Sequence, residues 1–148
     1  MTKKLNNKGF SLVELIIVIA IMAVLVGVLA PQFIKYVESS RQSTDIDAVA
    51  EYKTAIETYV ADEGSKAGVT VAASYVIKTT ATGVYADGVD LSDIGLSAGT
   101  SATETKFKSA GWSAQDDFAT YSTSTYKWTA KSNQNSKKPE KNLKDAFE

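Results

Sequence analysis

The chain has 148 residues, with 16 basic and 17 acidic side chains and neither cysteine nor histidine. That composition excludes disulfides, thiol nucleophiles, imidazole bases and the common zinc constellations. Setting aside Lys3, Lys4 and Lys8, the basic residues fall from 16 to 13 against 17 acidic, a net −4 that disfavours holding nucleic acid through the overall field.

Residues 1–9 are a short basic leader. Phe10 to Ala30 follows as 21 residues, of which only Ser11, Glu14 and Gly27 fall outside the strictly apolar set. As a helix this segment is about 31 Å long, matching the roughly 30 Å hydrocarbon core of a bilayer. Lysines on its N-terminal side mark the end that stays in the cytoplasm, so the remainder is expected outside. An ordinary signal peptide fits badly. The apolar run is too long, and its only small-residue exit, Leu29-Ala30, is followed by Pro31.

Glu14 is out of place in a plain anchor. It lies four residues inside the apolar boundary, where an ionisable group costs up to about 2.5–3.5 kcal/mol and by default implies a partner. Cutting before Phe10 would create a cation at that depth, a free α-amine.

Lys8-Gly9-Phe10-Ser11-Leu12-Val13-Glu14-Leu15 resembles the processing site of type IV pilins and related pseudopilins. The resemblance implies cleavage between Gly9 and Phe10 by a membrane-embedded prepilin peptidase and methylation of the new Phe10 amine. It also implies pairing of Glu14 with the amine of a neighbouring subunit. The implied partners are further copies of the chain in a helical filament, the peptidase, the membrane assembly machinery, and lipid before assembly. No cofactor and no specific nucleic acid are expected. The implied location is a single-pass membrane protein that ends in an extracellular pilus. Pseudopilins of type II secretion or competence systems share these features, and a membrane-tethered binding domain that never polymerises is the rival of another class.

Gly27 and Pro31 bracket the end of the span. Proline lacks the backbone donor and clashes one turn back, so a kink or local opening near Gly27 is expected. Residues 31–63 read as the amphipathic outer half of one helix covering about 11–63. Within it 38–45 (ESSRQSTD) has no apolar residue and is expected to be an exposed neck. The apolar stripe then resumes at Ile46, Val49, Ala50, Ile56, Tyr59 and Val60, and Gly64 is a natural stop.

Residues 64–131 are expected to form an antiparallel-sheet head. Strands are predicted within Val69–Thr80 and on either side of an Asp87-Gly88 turn, and a helical turn over Thr103–Ala110 is ended by Gly111. A hairpin over Phe118–Ala130 has Tyr121, Tyr126 and Trp128 as packing residues and its bend near Ser122–Thr125. The fold class is therefore α+β, a long N-terminal helix laid on a small antiparallel sheet, as the pilin resemblance also implies. Residues 132–148 are rich in Asn, Lys and Glu and read as a mobile polar tail. Many pilins staple this region with a cysteine pair, which the chain lacks.

No nucleophile–base pair, phosphate loop or metal cluster is evident, so no enzymatic role is expected. Asp87, Asp90 and Asp93 are weak candidates for calcium, lacking the spacing of a helix–loop–helix calcium site. The lysines from Lys106 to Lys144 read as a solubilising rim rather than a polyanion surface. Serines and threonines from Ser97 to Thr129 suit exposed strands and also O-glycans.

Overall fold

The computed structural model describes residues 10–63, 71–87, 89, 91, 96, 104–137 and 139–148. Helix α1 spans Leu12–Glu63 and continues without interruption through Gly27 and Pro31. The backbone donor that proline lacks therefore does not end the helix. No atom outside the helix backbone comes within 4 Å of where a Gly27 side chain would begin.

Five strands follow among the described residues: β1 Ser74–Thr79, β2 Gly83–Asp87, β3 Thr105–Lys106, β4 Gln115–Ser122 and β5 Lys127–Ala130. They form one sheet in the order β3-β2-β1-β4-β5, with every neighbouring pair antiparallel. The predicted hairpin is β4–β5, turning through residues 123–126. Tyr126 occupies that turn at φ 53° and is exposed, so of the three aromatic residues expected to pack only Tyr121 and Trp128 do, with ring centroids 5.0 Å apart. Thr103–Ala110 contains no helical turn among its described residues. Thr105 and Lys106 instead extend the sheet edge beside Gly83 and Val84.

The chain divides into two units, one ending at Val37 and the other beginning at Glu38. The second unit owns the core. Tyr75, Ile77 and Thr79 alternate inward from β1, Phe118, Ala119 and Tyr121 face in from β4, and Val49, Tyr52, Ile56 and Val60 cover them from α1. Burying each large apolar side chain contributes about 1.5–3 kcal/mol relative to exposure. The Tyr52 hydroxyl adds a 2.9 Å bond to Thr105 Oγ1, tying the helix to the edge strand.

The C-terminal segment corrects the expectation of a mobile tail over 132–148. Asn142 caps a 3-10 helix at Leu143–Phe147, Leu143 is fully buried, and Phe147 packs on Phe118 and Trp128. Asn133 and Asn135 are also buried. The Asn133 amide donates to Thr79 Oγ1 and to the Ser113 carbonyl, and its oxygen accepts from Ser113 N. Asn135 Nδ2 likewise donates to the Ala110 carbonyl at 3.2 Å, so side-chain hydrogen bonds fasten to the core the asparagines that made the segment look soluble. Gly111, at φ 106°, lets the backbone pass beside Asn135, whose Oδ1 would lie 2.8 Å from any added Cβ.

Candidate functional site

The N-terminus of α1 is built by a reciprocal cap. Ser11 Oγ accepts from Val13 N at 3.4 Å, and Glu14 Oε2 accepts from Ser11 N at 2.9 Å. This Ser-x-x-Glu arrangement satisfies two helix donors and places a carboxylate at the positive end of the helix dipole. The spacing was present in the sequence, but reading Glu14 only as a partner for an amine overlooked its capping role. The cap leaves Glu14 with further acceptor capacity and holds its carboxylate on the N–H of Ser11, the residue next to Phe10. Phe10 itself is 88% exposed. Gly9 lies outside the described residues.

Behind the cap, Leu12 to Ile34 presents its large apolar side chains outward. The helix is long and apolar enough to cross a membrane, and none of its most apolar window is buried within the chain. An exposed apolar surface of this extent marks a membrane or protein contact.

The segment 38–45 is not the exposed neck its composition suggested. Gln42 and Asp45 are fully buried. Asp45 Oδ1 accepts from Lys108 N at 2.6 Å, and Oδ2 accepts from Ser109 N at 3.0 Å and Trp112 Nε1 at 2.8 Å. Two turns earlier, Glu38 Oε1 accepts from Ser109 Oγ at 2.5 Å and from Gln42 Nε2 at 3.3 Å. Polar helix residues are thus clamped to the 108–112 loop, which composition alone does not signal. The Ser109 hydrogen bond holds the Glu38 carboxyl below its ordinary value of 4.5 against the opposing effect of desolvation, with help from Gln42, Lys137 and Arg41.

Glu104 forms a second anchor at the start of β3. Its side chain is 3% exposed and accepts from Thr80 Oγ1 at 2.5 Å, Thr82 Oγ1 at 2.6 Å and Lys106 Nζ at 2.5 Å. Burial alone would raise its pKa, but these three donors outweigh burial and lower it from 4.5. Carboxylates depressed in the folded state stabilise it above their unfolded pKa, and that contribution is lost as pH falls through the folded value. Tryptophan-monitored melting of the detergent-solubilised chain from about pH 7 to about pH 3 should show stability declining once pH drops below about 4.5. Glu104→Gln should be less stable at neutral pH and converge on the wild type in acid. Parallel curves for the two chains would contradict this assignment.

The remaining acidic candidates are paired or undescribed. Asp87 meets Lys78 at 2.7 Å, and Asp90 and Asp93 lie outside the described residues. No group of three potential metal ligands occurs among the described residues.

A family model described as the prokaryotic N-terminal methylation motif matches residues 4–30. The type IV major fimbrial protein FimA of Dichelobacter nodosus is 42% identical over 62 residues, covering 42% of this chain and 39% of that protein. Fimbrial protein EcpC of Eikenella corrodens is 34% identical over 97 residues, covering 66% of this chain and 62% of that protein. Prepilin peptidase-dependent protein A of Clostridium perfringens (strain 13 / Type A) is 35% identical over 68 residues, covering 45% and 49%. The chain thus spans between 39% and 62% of the length of these relatives. No solved structure matches it. The matched motif takes in Lys4, Lys8, the Gly9–Phe10 junction, Glu14 and the apolar span, so the chain carries a prokaryotic N-terminal methylation motif and is similar to type IV fimbrial proteins.

Proposed function

We propose that the chain is a non-enzymatic structural subunit, cut between Gly9 and Phe10, methylated at Phe10 and polymerised into a surface filament. The observation that carries this reading is the outward-facing apolar surface of Leu12 to Ile34, headed by a carboxylate beside the proposed new terminus. In the bilayer, lipid covers that surface, and Lys3, Lys4 and Lys8 hold the leader on the cytoplasmic side. In a filament, sister helices take the place of lipid. Glu14 would then exchange its bond to Ser11 N for the stronger pairing with a neighbour's α-amine. A buried carboxylate is destabilising unless paired, so correct axial register is selected.

The relatives named as fimbrial proteins support this reading, as does the one named for its dependence on prepilin peptidase. Gly27 and Pro31 mark where the helix has one fewer backbone bond and unwinds most readily under load. Electron microscopy of material sheared from producing cells, labelled with an antibody to residues 104–148, is expected to show decorated filaments. Label confined to membrane sheets and vesicles would contradict polymerisation and favour a tethered domain.

A further inference from the structure

The outer half of α1 carries a face that the sheet does not cover. Asp47, Glu51, Thr54 and Thr58 are exposed along it, and with Ala50 and Leu96 they line a groove of about 690 Å³. The Thr54 and Thr58 hydroxyls already donate to the Ala50 and Thr54 carbonyls, at 3.1 and 2.8 Å. Both hydroxyl protons are thus used within the helix, and the charge along the face comes from the Asp47 and Glu51 carboxylates.

A second surface of the same unit has the opposite sign. Arg41, Lys108 and Lys137 are exposed, and Lys141 Nζ donates to Ser43 Oγ at 3.3 Å, so these cations surround the 38–45 turns of α1. Arg41 and Lys137 both act on Glu38. The acids in this region are largely engaged: Asp45 accepts three bonds, Glu38 accepts from Ser109 and Gln42, and Glu140 also has a partner.

We infer that the acidic groove receives the cationic surface of a second copy of this chain. Arg41 and Glu51 are ten residues apart, about 15 Å along the helix. Complementary patches at different levels of one element make a heterologous, head-to-tail contact, which is compatible with an open helical filament as a two-fold dimer contact is not. The inference rests on the polymerising reading and supplies the lateral contact outside the apolar helices. Opposite charges set register and exclude wrong partners more than they add raw affinity.

The test uses the full-length chain in producing cells, scoring sheared filament against subunit in the membrane fraction. Glu51→Lys and Lys137→Glu should each lower filament yield by about tenfold or more, because each sets like charges against one another. The double swap should recover most of the wild-type yield. Should lysine at position 51 also lower the subunit level, Glu51→Gln, which changes charge with little change in size, is expected to give a loss of several fold at normal subunit level. Wild-type yield from both single variants, or a double swap no better than either, would overturn the interface while leaving polymerisation intact. Absence of filament from the wild-type chain would overturn the underlying reading and the interface with it.

Discussion

Glu14→Ala should leave membrane insertion and removal of the leader intact while reducing filament yield by at least about tenfold. Losing one partner of a buried ion pair costs about 3–5 kcal/mol, and about 1.4 kcal/mol corresponds to a factor of ten. The structure sharpens the expectation, because Glu14 also caps its own helix through Ser11 N. Loss of a helix cap costs only about 0.5–2 kcal/mol. Ser11→Ala removes the other half of the cap without touching the carboxylate, so it should weaken assembly far less than Glu14→Ala. Glu14→Gln keeps hydrogen-bonding capacity without charge and should resemble the alanine variant if pairing with a cation matters. Subunit and leader status are read by gel mobility of the membrane fraction, and filament by shearing. Equal losses from Ser11→Ala and Glu14→Ala would assign Glu14 to capping alone.

The second large effect is expected at Asp45. Replacing it with alanine leaves three donors, Lys108 N, Ser109 N and Trp112 Nε1, without their acceptor in a buried site. Hydrogen bonds to a charged group contribute about 1.5–3 kcal/mol each, and the stranded donors carry their own desolvation cost. A loss of about 3 kcal/mol or more is expected, which for a unit of this size lowers the melting temperature by roughly 12 °C or more. Asp45→Asn should lose less, since one oxygen still accepts while the new amide group faces donors. Trp112 and Trp128 both lie in the second unit, so tryptophan fluorescence of the detergent-solubilised chain reports on it directly. Melting within about 2 °C of the wild type for Asp45→Ala would show that the clamp contributes little.

What could be read from the sequence divides along the range of the interactions. The N-terminal features were legible because their chemistry is local: lysines, Gly9–Phe10, Glu14 and the apolar span lie within one stretch. The β4–β5 hairpin was legible too, because alternating aromatic and β-branched residues flank a polar bend. The role of 38–45 was not, since Asp45 finds its partners 63 to 67 residues away. A polar octapeptide has no apolar stripe, and only the arrival of the 108–112 loop buries it.

The C-terminal segment was misread for the same reason. Asn133 reaches Thr79 across 54 positions of sequence, and composition cannot distinguish a solvated asparagine from one satisfied in a core. Thr103–Ala110 was misassigned because two residues paired with β2 outweigh weak local helical preference. Ser11 was the one missed site residue whose signal lay in plain view, three residues before Glu14.

The central claim is that Glu14 meets an amine made by cutting before Phe10. Mass spectrometry of the polypeptide recovered from sheared filaments tests it most directly. The recovered chain should begin at Phe10, heavier by one methyl group at its amine and lacking Met1 to Gly9. Filament subunits that retain the leader, or that begin at any other residue, would contradict it.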